Sequence, residues 1–406
     1  MLLKLAFLVL TVAASAYTAA DEVPDHSPQL LLPAQRLRRL KRDHERQTQR
    51  WVNFENRVNS IPDSPERGFE LALYYAITGD EARGKEAVQW ALAHACERRQ
   101  AALVLDWTGP LIATADRSKL AAQNCPDRGL QNPTSLRDAV FLKIAAGEDI
   151  SKLVDDSRKQ ITAFLADGGF QDAAQLYAAA EYMMAVRAAQ HVDVREDDST
   201  FFLQLPVEFL LALKPDKLDH PGWMTHVAAL ALVALDPNLE SSQFLQGWAI
   251  ADRQMAREGP GVAYELLWAD PYLPGIGYQN MNRWAYDARG HLFARMDWEP
   301  NSCYIEISPS DVKEQNCPPG WRDAPAAFGR LTLLPMPERC LELPHVQNGD
   351  SLIVWKLKPH EIIHTEQANP EQGKQHKEPQ GVSEADAAGM WRVPMNITGK
   401  ACTAAR

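Results

Sequence analysis

The chain has 406 residues, 46% of them hydrophobic, and a formal net charge of −11. That balance permits a large buried core and excludes a nucleic-acid partner unless cations are gathered locally. The length is too great for one simple core and points to two domains of unequal size.

Residues 1–20 read as a secretory signal, with Lys4 as the positive flank, Leu5 to Val12 as the apolar core and Ala14-Ser15-Ala16 as a small-residue cleavage site. Ala20 offers a second cleavage point. The apolar run is far short of the roughly 20 residues that a membrane span needs. The expected location is therefore periplasmic or secreted, with no stable membrane span. Next comes a basic segment, Arg36, Arg38, Arg39, Lys41, Arg42, Arg46 and Arg50, opposed only by Asp43 and Glu45. It reads either as a solvated helix face or as an electrostatic funnel for an acidic polymer.

Residues 21–270 carry an almost wholly helical pattern. Ser64-Pro65 predicts a cap with proline at the first helical position, and Thr78-Gly79 a stop. Asp80 opens a helix running to about Cys96, Thr114 and Thr134 read as caps, and Gly147 as the stop of the helix begun at Thr134. A helix from Ser151 to Leu165 leads into Asp167-Gly168-Gly169, and others are expected near 171–189, 199–213, 222–235, 239–256 and 260–269. Short polar turns make successive helices antiparallel hairpins. With no fixed repeat period, such hairpins favour an (α/α) toroid over a regular repeat array.

Pro271, Pro274, Gly275 and Gly277 then break the helical pattern. Strand-like stretches follow at Leu292–Met296, Cys303–Ile307, Gly329–Leu334 and Leu352–Lys358, so 271–363 reads as a small antiparallel β domain. Residues 364–406 are rich in Gln, Glu, Lys, Pro and Gly and read as a disordered tail, with Trp391, Val393, Met395 and Cys402 able to dock back. Six cysteines in an exported chain form a disulfide set. Cys96 and Cys125 are one possible pair, Cys303, Cys317, Cys340 and Cys402 crowd the last third, and the connectivity stays open. No CxxC or zinc-like spacing is present, so neither metal nor cofactor is expected.

The chemistry concentrates at Asp167-Gly168-Gly169-Phe170-Gln171-Asp172, followed on a helix by Tyr177, Glu181 and Tyr182. A tyrosine near a helix start becomes a proton carrier when cations lower its pKa from about 10. His226 is a second proton carrier, and Arg257 to Glu265 with Tyr264, Trp268, Asp270 and Tyr272 supplies rings and charges suited to a sugar. Each of these also reads as ordinary packing. No GxSxG elbow, P-loop, HExxH or dinucleotide fingerprint is present.

The layout resembles the heparinase II/III and alginate-lyase-like polysaccharide lyases across most of residues 30–300. Leu71 to Glu81 is similar to that family's Tyr…Thr-Gly-Asp-Glu junction, and Asp167-Gly168-Gly169-Phe170 to its Asp-Gly-Gly turn before a catalytic tyrosine. Leu105-Asp106-Trp107 resembles the helix before its cleft, and Phe293 to Trp298 the opening strand of its β domain. The resemblance implies β-elimination on a uronic-acid glycan. Tyr177 would be base or acid, Arg137 would neutralise the sugar carboxylate and His226 would move a second proton. Asp106, Trp107, Arg257, Tyr264, Glu265 and Trp268 would hold the glycan. Two departures stand out: Ser135-Leu136-Arg137-Asp138 replaces the family's Asn or Asn-His, and Ser308 to Arg322 lacks its histidine. The alternatives are a non-catalytic glycan- or protein-binding protein on the same fold, and a glycoside hydrolase using Asp106 and Glu265. The oligomeric state does not follow from the sequence.

Overall fold

The computed structural model describes residues 28–94, 96–122, 130–251, 255–286, 290–308, 311–336, 340–344, 350–355, 362–367, 382–384, 389–393 and 399–403. The expected signal at 1–20 lies outside them.

Fourteen helices stand among the described residues: α1 (Ala34–Glu45), α2 (Gln49–Ser60), α3 (Arg67–Thr78), α4 (Glu81–Ala93), α5 (Arg98–Trp107), α6 (Thr114–Ala122) and α7 (Pro133–Ala146). They continue with α8 (Ser151–Ala166), α9 (Ala173–Gln190), α10 (Ser199–Ala212), the short α11 (Pro215–Asp219), α12 (Trp223–Leu235), α13 (Glu240–Ala249) and α14 (Gly261–Trp268). Several boundaries follow from local chemistry. The Asp80 carboxylate accepts from Ala82 N at 2.9 Å and Arg83 N at 3.3 Å, opening α4, and Asp172 does the same for α9. Gly168, with φ +91°, reverses the chain between α8 and α9.

Two expected caps move. The helix expected from Thr134 is capped by Asn132, with Pro133 first and Ser135 closing the box, because the Asn132 oxygen reaches Ser135 N at 2.9 Å. Ser64 does not cap α3, which begins at Arg67; its hydroxyl accepts from Arg57 at 2.7 Å and donates to Glu70 at 3.0 Å.

Burial separates the helices into two kinds. Every residue of α9 from Leu176 to Val186 is buried, as are Arg99 to Trp107 of α5 and all of α14, whereas α1, α2 and α8 bury one stripe. The former are inner helices, buried all round. α3 packs on α5, α5 on α7, α7 on α9, α9 on α12 and α12 on α14, and α14 also touches α2 and α1. One apolar core runs through them all.

The remaining chain forms three four-stranded sheets. The first is a meander of β1 (Trp284–Tyr286), β2 (Leu292–Arg295), β3 (Tyr304–Ile307) and β4 (Val312–Gln315). The second contains β5 (Ala326–Phe328), β6 (Leu331–Pro335), β8 (Ser351–Trp355) and β11 (Met390–Val393). The third contains β7 (Cys340–Leu343), β9 (Ile362–Gln367), β10 (Val382–Glu384) and β12 (Gly399–Thr403). Pairing is antiparallel except between β6 and β8, which run parallel with Leu331 opposite Ser351. Segment 364–406, read from composition as disordered, supplies β10, β11 and β12; Trp391 and Val393 dock into an apolar cluster with Leu352 and Val354. Its most polar stretch, 368–381, lies outside the described residues.

Disulfides join Cys303 to Cys317 and Cys340 to Cys402. Cys96 is also disulfide-bonded, while Cys125 lies outside the described residues. The first sheet is fastened to α10: fully buried Arg295 donates to the carbonyls of Leu211, at 2.9 Å, and Leu213, and Tyr304 donates to Ala212 O at 3.2 Å. Among the described residues no helix is long and apolar enough to cross a membrane.

Candidate functional site

Six inner positions stand within the first turns of their helices or at a cap: Glu66 before α3, Arg99 on α5, Arg137 on α7, Tyr177 on α9, His226 on α12 and Tyr264 on α14. Helix starts carry partial positive charge, so carboxylates are favoured there.

Five of these positions, all but His226, join one buried network around Glu181. Arg99 donates to both Glu181 oxygens, through Nε at 2.9 Å and Nη2 at 2.7 Å, and Arg137 Nη1 adds a bond at 3.0 Å. The Tyr177 hydroxyl donates to Glu181 and accepts from Arg99 at 3.0 Å and Trp268 Nε1 at 3.1 Å. Arg99 also reaches the Tyr264 hydroxyl at 3.1 Å, which donates to Glu66 at 2.7 Å. Arg137 is paired further with Asp138 at 2.7 Å.

The charges are mutually balanced. Burial alone would raise the Glu181 pKa, but Arg99 and then Arg137 hold the carboxylate below its usual range. Burial would lower Arg99, and Glu181 more than reverses that. Burial pushes the Tyr177 phenol well above its ordinary value against the pull of Arg99, and does the same to Tyr264. Tyr177 is 2% exposed and its hydroxyl has no bond left to offer a substrate.

The other residues expected at the site divide. His226 Nε2 stands 3.1 Å from Glu265 Oε2, both buried, without the alignment of a hydrogen bond. The Asp106 carboxylate accepts from Gln29 N and Leu30 N at 2.9 and 2.8 Å, and Trp107 donates to Leu30 O at 2.9 Å. Both fasten the segment before α1. Arg257 is exposed, outside the network.

Trp268 leads from this network to an open cleft. The Arg36 guanidinium lies 4.5 Å from the Trp268 ring centroid and donates to Leu31 O. The cleft encloses about 510 Å³ and is lined by Arg36, Arg39 and Arg42 of α1 and Arg46 at its C-cap, with Trp268 and Tyr272 opposite. These arginines recur about once per turn on one face of α1, over roughly 15 Å. Arg39 is paired with Asp270, whereas Arg36, Arg42 and Arg46 have no carboxylate partner among the described residues. Arg50 is withdrawn into a pair with Asp43 at 2.6 Å. Burial first, then neighbouring Arg39, pushes the Arg36 pKa down to about 9. Among the described residues no cluster of His, Cys, Asp or Glu is suited to a metal ion.

Sequence reasoning did not single out Arg99 or Glu66. The available signal was Arg98-Arg99 heading the run Ala101 to Leu105, since an arginine at the start of a wholly apolar helix needs a buried counter-charge. Compared with known proteins, the chain matches no family model and no curated protein.

Proposed function

We propose that this protein is an exported, non-catalytic binder of acidic glycans, holding them in the arginine-lined cleft of a ring of helix hairpins. The observation that carries this reading is the row of Arg36, Arg42 and Arg46, without carboxylate partners, facing Trp268 and exposed Tyr272. Guanidinium forks match carboxylates and sulfates, and the rings suit sugar faces. The order of helix contacts, running from α3 through α14 and on to α2, supports the (α/α) ring. Two disulfides, rare in reducing compartments, support export.

β-Elimination is the weaker reading. It needs a proton carrier open to the sugar, and Tyr177 is buried with its hydroxyl engaged by Glu181. Glu181 also fills the place that a substrate carboxylate would take between Arg99 and Arg137.

Titrating the purified chain with heparin, alginate and pectate, while following the ultraviolet absorbance of unsaturated product, tests this. Expected are salt-sensitive binding to at least one polymer, its loss in Arg36→Ala/Arg42→Ala/Arg46→Ala, and no absorbance. No binding, or binding that survives the triple substitution, overturns the proposal; product formation restores the lyase reading.

A further inference from the structure

A second cleft, of about 660 Å³, opens where the helices meet the first sheet, and its chemistry differs from that of the arginine cleft. Its floor is aromatic. Trp284 and Tyr286, two apart on β1, face the same way, against the core of the sheets, while Phe244 of α13, packed on the helical core, lines the helix side. Its rim is built from uncharged donors and acceptors, chiefly exposed Gln204, Asn280 and Asn282. Exposed Glu240 and buried Glu208 stand against a single guanidinium, Arg392, so the lining carries no excess of cations.

Two further observations point to a ligand. The Trp284 indole N–H is buried and has no hydrogen-bond partner among the described residues, a costly arrangement for a donor that a guest oxygen would relieve. Leu203 on the cleft wall is 51% exposed, an apolar edge left open beside the polar rim. Rings below, amides around and an unused N–H between them match a molecule with an apolar face and a periphery of hydroxyls. The volume is that of a small-ligand site.

We infer that this cleft is a binding site for an uncharged sugar ring, separate from the anion-binding cleft and independent of it. The ring stacks its C–H face on Trp284 and Tyr286. One hydroxyl accepts from Trp284 Nε1, and Gln204, Asn280 and Asn282 bond the others. The Arg392 guanidinium, 5.7 Å from both ring centroids, closes one side with its fork of donors. The two clefts adjoin at the turn before α13, where Pro237 lines the first and Leu239 the second.

The test is isothermal titration of the full chain with maltotriose, cellotriose, mannotriose, xylotriose and N-acetylchitotriose. Tryptophan fluorescence is followed in parallel. At least one trisaccharide is expected to bind and to alter the fluorescence. Asn282→Ala, at an exposed position, should weaken it at least fivefold. Leu203→Trp, which fills the opening from an exposed position, should abolish it with the melting temperature unchanged. Arg36→Ala/Arg42→Ala/Arg46→Ala should bind the same sugar as the parent does, so failure of the anion site and failure of this one are read separately. If none of the five sugars binds, or if Leu203→Trp and Asn282→Ala bind as the parent does, the inference is wrong.

Discussion

The Trp268 indole N–H donates to the Tyr177 hydroxyl across 3.1 Å, and the same indole carries the Arg36 guanidinium 4.5 Å from its centroid. One side chain therefore connects a closed, fully paired buried network with an open cleft that presents unpaired cations. The division of labour follows: the network fixes the inner helices, and the cleft is free to meet a ligand.

Tyr177→Phe separates these roles. The change removes a donor to Glu181 and leaves Trp268 Nε1 without an acceptor. A loss of about 1–3 kcal/mol in urea unfolding is expected, with binding of the acidic polymer unchanged. A variant as stable as the parent would show that the hydroxyl contributes nothing to the network.

Glu181→Ala should expose what the glutamate now occupies. Removing one partner of a buried ionic cluster costs about 3–5 kcal/mol, because Arg99 and Arg137 then lose their shared counter-charge. The vacancy is lined by two guanidinium groups and a phenol, a receptor for a small carboxylate. Acetate should therefore raise the melting temperature of this variant in a concentration-dependent way, and chloride at equal ionic strength should not. Equal responses to the two salts would refute the idea.

The sequence made the helical two-thirds legible because caps and stops act locally: Asp80, Gly147 and the Asp167-Gly168-Gly169 turn each declare a boundary with their own side chain or φ. The network was half legible. Tyr177 and Arg137, read as catalytic, and Tyr264 and Trp268, read as substrate-binding, lie together in the structure, but burial is a property of the packed inner helices that a single helix does not disclose. Asp106 and Trp107 mark the opposite failure, since their partners are backbone groups 76 or 77 residues away. The strands were least legible. Elements of three to six residues are too short for alternation to register, and the parallel pairing of β6 with β8 depends on a crossover no local pattern encodes.

The cleft predicts a specific pH response. Arg36 in the free protein has its pKa pushed down to about 9, and an anion bound beside it pulls that value back up. Below pH 9 the guanidinium is already charged, so affinity for heparin should be flat from pH 6 to 8. Above pH 9, binding must take up a proton, and affinity should fall towards tenfold per pH unit. Arg36→Lys moves the midpoint, whereas Arg36→Met removes the dependence. An affinity constant to pH 10.5 would remove Arg36 from the site.

Arg295 sets a different balance, that of a cation holding two parts of the chain together. Its burial pushes its pKa down to about 10 from the ordinary arginine range, an unfavourable effect of about 3 kcal/mol at neutral pH. Against this stand two charge-assisted bonds, both from Nη2, to the carbonyls of Leu211 and Leu213 at the end of α10, about 1.5–3 kcal/mol each, and the Trp298 ring 4.6 Å away, while Nε and Nη1 are buried without a partner among the described residues. The bonds win by a small margin. Arg295→Met, which removes the burial cost with the bonds, should lose only about 2 kcal/mol, whereas Arg295→Lys, which keeps a buried charge but lacks the reach of Nη2 to both carbonyls, should lose more. The folded-state pKa is depressed, so above about pH 10 the unfolded chain holds more protons and the contribution of Arg295 to stability rises with pH. Urea unfolding of parent and Arg295→Met at pH 8 and 10.5 reads this directly: the gap between them should widen at the higher pH, and a gap that narrows would mean that Arg295 is not held as a depressed, buried cation.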